Sequence, residues 1–406
     1  MFINKNNVIC NIKGLDMIIN TENGAVVGVD RDNLQSYKKL INEELPISLD
    51  KELYDFLIEN EFVSNQPLEK KEIEIPTAYL HVTNRCNLHC LGCYSDNDSR
   101  NIDSDLEFKD MIKVLNELER VGIKNLVISG GEPLLRKDIV DLMKYAKEKC
   151  EIERLTLITN GTVGNMTLFS RLSQYLDNIS VSLDTFDSKC KAFLRDEGIF
   201  DNIIKNIYHM KNAGLNVAIL PTIHHKNVSY ISRYNDLADK LDVGISFSIF
   251  TTGCEKIYED YSLLNDDLSH ISKYLSSYKI EDIPINNTLE GKRHCGTGCN
   301  ILSVGADGDV YPCHMLMEEQ FKMGNIVNND MITILENNKT NRKCWENDVD
   351  DISGCRQCTY KYLCGGGCRA RAHLINGNIM KKDPFCKMFK GFYDEIFATM
   401  RNKMEE

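Results

Sequence analysis

From Thr77 to about Phe250 the chain alternates between short apolar runs and helical patterns, and this restricts its fold more than any other feature. Ala78–Val82, Asn125–Ile128, Leu155–Ile158, Ile179–Leu183, Val217–Ile223 and Ile245–Phe250 are six apolar, partly β-branched runs. Helical periodicity separates them. The first helix reads clearly: Ser104 and Glu107 form a capping box, Phe108, Ile112, Leu115 and Leu118 make an apolar stripe, and Gly122 ends it. Strands alternating with helices predict an α/β fold with a parallel sheet and right-handed crossovers. Six such units predict a partial (β/α)6 TIM-like barrel, with function at the C-terminal ends of the strands.

The flanking segments read differently. Residues 1–66 predict a small N-terminal domain. Val8–Ile12 and Met17–Ile19 are short strands, and Asn23-Gly24 is a hairpin turn before Ala25–Val29. Two amphipathic helices follow, with Leu34, Tyr37, Leu40 and Ile41 on one face of the first and Leu53, Phe56 and Leu57 on the second. Gln66 to Pro76 is charged and reads as a linker. The barrel is expected over 77–281. Residues 282–388 are dense in Cys, Gly and Asp, predicting a loop-rich domain that needs something besides a core to hold it. Residues 389–406 predict a closing helix.

The N-terminus carries no basic segment followed by an apolar one, and no apolar run approaches the ~18–20 residues that span a bilayer. The expected location is the cytoplasm, with no membrane partner. A net charge of −12 without a Lys/Arg run argues against bare nucleic acid as a partner. In a reducing compartment the 16 cysteines point to metal binding rather than disulfides, and their spacing has to decide against the alternative of small buried hydrophobes.

Cys86-Asn-Leu-His-Cys90-Leu-Gly-Cys93 directly follows the first barrel run. Three thiolates on one loop can ligate three irons of a [4Fe–4S] cube and leave the fourth iron open; zinc or core cysteines are the alternative. The second run ends in Ser129-Gly130-Gly131-Glu132-Pro133, two glycines that permit close backbone approach and a carboxylate able to accept from an ammonium.

The cysteine loop, the Gly-Gly-Glu-Pro turn, Thr159-Asn160-Gly161-Thr162 after the third run and Ser180-Val-Ser182-Leu-Asp184 on the fourth together resemble a radical S-adenosylmethionine (SAM) enzyme over roughly Thr77 to Phe250. In that family the open iron chelates SAM, whose reductive cleavage yields a 5′-deoxyadenosyl radical that abstracts hydrogen from a substrate. The resemblance implies cofactor contacts from Gly130, Gly131 and Glu132, the last to the methionine ammonium. It places Ser182 at the SAM carboxylate or ribose with Asp184 nearby, and Arg195 as a partner of the carboxylate. One departure stands out: the residue before the third cysteine is usually aromatic in the family and is Gly92 here, followed by Tyr94.

The C-terminal region carries Cys355-x2-Cys358-x5-Cys364-x3-Cys368, then Cys386, with Cys295, Cys299 and Cys313 upstream. Zinc ribbons are the rival, but this is not their spacing. The array resembles the SPASM extension of radical SAM enzymes, which implies two auxiliary [4Fe–4S] clusters and three in all. By that resemblance Cys295, Cys299, Cys313 and Cys368 hold the inner cluster, and Cys355, Cys358, Cys364 and Cys386 the outer. Cys10, Cys150, Cys190, Cys254 and Cys344 remain as thiols, of which Cys254 follows the last barrel run. The implied auxiliary clusters have no open iron, so they are expected to carry electrons.

Strands followed by helices in 1–66 resemble the winged-helix-like domains by which radical SAM peptide maturases bind a precursor leader; a structural cap is the alternative. The expected function is therefore peptide maturation. Hydrogen abstraction from a precursor peptide leads to a thioether or carbon–carbon crosslink, with electrons from an external donor such as flavodoxin or ferredoxin. A sulfatase-maturating, formylglycine-generating enzyme is one alternative, disfavoured by His314 where that family has Asp. A non-catalytic metal-stabilised binding protein is another. No residue is assigned as a general acid, base or radical relay.

Overall fold

The computed structural model describes residues 2–42, 49–67, 75–96, 100–102, 105–191, 193–282, 289–338 and 348–405. Ser104, Cys344 and most of the expected 66–76 linker lie outside them. By contacts the chain divides into two compact units, Met1–Glu72 with Leu268–Cys295 and Asn347–Glu406, and Ile73–Asp267 with Gly296–Glu346.

In the first unit, β1 (Phe2–Ile3) pairs antiparallel with β5 (Val63–Ser64), a pairing too short to be marked in the sequence. β2 (Asn7–Ile12), β3 (Leu15–Asn20) and β4 (Val26–Val29) form an antiparallel sheet in chain order. Helices α1 (Arg31–Ile41) and α2 (Lys51–Glu59) follow, α1 starting at Asp30, whose carboxylate accepts from the Asn33 N–H. Successive side chains of a strand point to opposite faces, and β3 buries both. Ile18 packs with Tyr37, Leu40, Leu57 and Phe62 beneath the helices. Met17 and Ile19 pack with Leu289, Tyr360, Leu363 and Phe397 of the C-terminal segments. Each such side chain contributes roughly 1.5–3 kcal/mol of burial. The chain closes with the helix Cys386–Glu405, which starts at a candidate ligand, three residues before the expected boundary.

The second unit is the partial (β/α)6 barrel. β6 (Thr77–His81), β7 (Asn125–Ser129), β8 (Arg154–Thr159) and β9 (Asn178–Val181) run parallel in that order. Their crossovers carry α3 (Phe108–Arg120), α4 (Ile139–Lys149), α5 (Met166–Leu172) and α6 (Phe200–Asn212). α3 begins later than the capping box predicts, with Glu107 itself as N-cap and no side-chain cap bond. The fifth and sixth runs are each broken in two. β10 (Val217–Ile219) continues the sheet to β12 (Gly244–Ile245), whereas β11 (Thr222–Ile223) pairs with β13 (Ser248–Ile249) as a separate parallel ribbon. Pro221, which has no N–H to donate, sits at the first break. α7 (Ile231–Leu241) and α8 (Glu255–Tyr261) complete the six units.

The stretch expected to be loop-rich adds strands as well. β14 (Ile301–Val304) pairs parallel with β6 on the far side of the sheet, and β15 (Asp309–Tyr311) and β16 (Gly324–Asn325) extend it antiparallel. The sheet order is β12-β10-β9-β8-β7-β6-β14-β15-β16. Lys113 and Glu117 on α3 bond the Val327 carbonyl and the Met331 N–H, fastening this extension to the barrel. Among the described residues no helix is long and apolar enough to cross a membrane, and no disulfide forms.

Candidate active site

The loop after β6 is held by the segments that follow β7, β8 and β9. The Gly131 and Glu132 N–H groups donate to the carbonyls of Thr83 and Arg85 at 2.8 and 2.7 Å. A Cβ on Gly130 or Gly131 would run into the backbone of Thr83 or Arg85. The two glycines therefore let this loop, rather than a ligand alone, approach the turn after β7. Asp105 accepts from Thr83 Oγ1 at 2.5 Å and pairs with Arg85. Asn87 donates to Thr162 Oγ1 and accepts from Asn160 Nδ2, at 2.8 and 2.9 Å. The Leu91 N–H donates to the Leu194 carbonyl at 2.7 Å.

Held this way, Cys86, Cys90 and Cys93 line one cavity of about 360 Å³ at the C-terminal ends of the strands. Gly130, Gly131, Ser182, Asp184 and Arg195 line the same cavity. The Arg195 Nε pairs with Asp184 Oδ2 at 2.9 Å while its Nη1 lies 3.6 Å from Cys90 Sγ. The other oxygen of Asp184 accepts from the Thr222 N–H. Arg100 also lines the cavity, where its guanidinium interacts electrostatically with Cys93 and pairs with Asp96 at 3.1 Å. Burial pushes the Cys90 thiol up to about 11. A thiol so placed becomes a thiolate only against a strong positive partner, and three soft donors on one wall flanked by two guanidiniums fit an iron–sulfur cluster held by three thiolates.

Glu132 stands elsewhere. It is fully buried and outside the cavity lining. Its carboxylate accepts from Thr159 Oγ1 and the Asn160 N–H, both at 2.7 Å, and from the Leu134 N–H at 3.0 Å. Burial raises its pKa against those hydrogen bonds. In this arrangement it ties the turn after β7 to the turn after β8. Cys254 is exposed at the N-cap of α8 and does not line the cavity.

Several lining residues carry no local signal in the sequence. Gly92 has φ +63°, and a Cβ there would sit 2.8 Å from the ring of Phe250. The aromatic group missing at position 92 is thus supplied from the segment after β13. Tyr79, Tyr94 and His314 form an aromatic wall. His314 stacks on Tyr79 with centroids 4.1 Å apart and meets Tyr94 edge-on at 5.7 Å. Burial drops His314 to about 4 and His81, behind Tyr94, to about 3, so both are neutral at pH 7. Strand alternation marks Tyr79, but nothing local shows that the residue after Cys313 turns into the barrel.

In the first unit Cys355, Cys358, Cys364 and Cys386 line one small cavity together. Burial raises the Cys364 thiol to about 12, with Cys386 and Cys355 adding to the rise. Four thiols around one space fit a fully ligated cluster. Asp383, 2% exposed, organises the segment around them. It accepts from the Cys368 N–H at 2.7 Å and the Phe385 N–H at 2.8 Å, and pairs with Arg371 at 3.2 Å. Of the other four candidates, Cys295 and Cys368 belong to the first unit, where they interact electrostatically. Cys299 and Cys313 belong to the second, where the Gly298 N–H donates to the Pro312 carbonyl at 2.9 Å.

Residues 80–238 match the radical SAM superfamily model, and residues 295–359 match the SPASM iron–sulfur cluster-binding domain model. The chain is similar to Fe-coproporphyrin III synthase of Methanosarcina barkeri, 24% identical over 79% of this chain and 90% of that one. It is also similar to the mycofactocin maturase MftC of Mycolicibacterium smegmatis, 23% identical over 75% and 81%. Among solved structures, anSMEcpe with bound AdoMet superposes with a TM-score of 0.66 at 20% identity, covering 80% of this chain and 98% of that one. Streptococcus suis SuiB bound to precursor peptide SuiA does so with a TM-score of 0.63 at 17% identity, covering 95% and 99%. With its cysteine loop at the mouth of a partial barrel and a second cysteine-rich stretch following, the chain is that of an enzyme carrying a radical SAM domain over residues 80–238 and a SPASM iron–sulfur cluster-binding domain over residues 295–359.

Proposed function

We propose that the protein is a peptide maturase: one electron cleaves SAM to methionine and a 5′-deoxyadenosyl radical, which abstracts a hydrogen atom from a precursor peptide, and the peptide radical closes a thioether or carbon–carbon crosslink as it gives up one electron to the auxiliary clusters and one proton. The observation that carries this reading is the cavity in which Cys86, Cys90 and Cys93 face Ser182, Asp184 and Arg195. Cys86, Cys90 and Cys93 hold the cluster that binds SAM. Gly130 and Gly131 line its site, with Glu132 behind them. Ser182 and Asp184 lie toward the carboxylate or ribose, and Arg195 toward the carboxylate. The outer auxiliary cluster takes Cys355, Cys358, Cys364 and Cys386, the inner Cys295, Cys299, Cys313 and Cys368, for three [4Fe–4S] clusters in all.

The assigned domains are 1–66 for peptide recognition, 77–281 for the radical SAM core, 282–388 for the auxiliary clusters and 389–406 for the closing helix. The likeness to SuiB, whose structure holds a precursor peptide, extends over 95% of this chain and supports the peptide reading. So does the maturase among its relatives. Among the described residues β4 has one unpaired edge in its sheet order, as strand addition by a leader requires. Flavodoxin or ferredoxin in the cytoplasm supplies the electrons, and neither nucleic acid nor membrane takes part.

Anaerobic reconstitution tests the reading. The native protein should bind about twelve irons, four for each cluster, and make 5′-deoxyadenosine from SAM. With Cys86, Cys90 and Cys93 all changed to alanine it should bind about eight and make none. Continued SAM cleavage by that variant refutes the assignment.

A further inference from the structure

Beside the cavity, at the same end of the barrel, lies a second cleft of about 490 Å³ between the loop after β9 and the start of α7. Lys189, Lys191, Lys226 and Arg233 line it and are exposed, against one lining carboxylate, Asp187. In a chain of net charge −12 this is a local reversal of sign. Two of the cations rest on aromatic rings: Arg233 lies 5.4 Å from the centroid of Phe186, and Lys226 Nζ lies 3.9 Å from that of Tyr261. Phe186 packs on Tyr230 at 5.4 Å, and Phe193 completes the apolar part of the lining. Aromatic and arginine side chains within a cationic rim are the composition of a protein interface whose partner is acidic.

The cleft joins the cysteine loop through three consecutive residues. Phe193 lines the cleft. Leu194 lines the cavity and accepts from the Leu91 N–H at 2.7 Å. Arg195 reaches Cys90 Sγ at 3.6 Å. A partner seated in the cleft is thus separated from a candidate cluster ligand by the thickness of one segment.

We infer that this cleft is the docking surface for an acidic one-electron donor protein that reduces the enzyme. The inference rests on the function proposed above, which needs one electron for each SAM cleaved. The donor is oxidised by one electron, the enzyme is reduced by one, and no bond forms between them. Contacts of this kind are small and charge-steered, with affinity that falls as salt rises.

The test uses reconstituted holoenzyme and reduced flavodoxin, comparing the native protein with the Lys189→Glu/Lys191→Glu double variant. Calorimetric titration should give a dissociation constant at least about tenfold weaker for the variant, and a native affinity that weakens between low and physiological salt. SAM cleavage driven by dithionite, which needs no docking, should stay within about twofold of native. Unchanged flavodoxin affinity in the variant, or no measurable binding by the native protein, overturns the inference. An equal loss with dithionite overturns it too. So does a raised peptide KM with flavodoxin binding intact, which would assign the cleft to the substrate. Failure of native protein to cleave SAM with dithionite would sink the function proposed above, while the flavodoxin titration would still stand as a separate measurement.

Discussion

Glu132 offers the sharpest test of the site geometry, because the structure engages its carboxylate inside the protein. In the Glu132→Ala variant the N–H groups of Asn160 and Leu134 lose their acceptor, at 2.7 and 3.0 Å in the native protein, in a place no water reaches. A buried donor left unpaired costs about 1–3 kcal/mol, so the pair costs about 2–6 kcal/mol. Removing a buried carboxylate recovers part of this, since its desolvation already opposes folding. The expected net loss is about 2–4 kcal/mol, concentrated on the turns after β7 and β8. Every 1.4 kcal/mol is a factor of ten in an equilibrium constant, so hydrogen exchange at the Asn160 and Leu134 amides should accelerate by at least about 30-fold. The measurement is exchange by mass spectrometry on peptides covering 130–165, without SAM. If exchange there matches the native protein while SAM affinity falls, Glu132 is a ligand contact and the bracing argument is wrong.

Further outcomes are expected elsewhere. His81 folds neutral with a pKa near 3, below its ordinary 6.5, so the unfolded chain takes up the proton first and stability is lost as pH falls below about 6.5. At pH 5 this amounts to about 2 kcal/mol, and urea denaturation of His81→Phe should show a correspondingly flatter pH profile than native. Asp383→Ala takes the carboxylate away from buried Arg371, costing about 3–5 kcal/mol; the iron content of the reconstituted protein should fall by about four or more per chain, and an unchanged count would refute the organising role. Phe250→Leu keeps the packing around Leu194 and Tyr261 but removes the aromatic face beside Gly92. Equilibrium dialysis should show SAM bound about tenfold more weakly, or about 1.4 kcal/mol, and native affinity in the variant would refute the aromatic role.

Spacing along the chain sufficed for whatever is local. Strand and helix periods marked the six barrel units, and cysteines three to six residues apart announced clusters, because a thiolate set on one loop or short helix is a property of a few consecutive residues. Hydrogen-bond partners distant in the chain left no such trace. That the turn glycines face Thr83 and Arg85, that Phe250 fills the space at Gly92, that His314 stacks on Tyr79 and that Asp383 ties Cys368 to Arg371 all depend on which segments the tertiary fold brings together. The same holds for β14, whose four residues read as loop until β6 offers its edge. Residue type and interval settled the chemistry available to this protein; the close approach of remote backbone and side chains, driven by burial and the pairing of buried polar groups, settled which residues stand at the cavity and which hold it in shape.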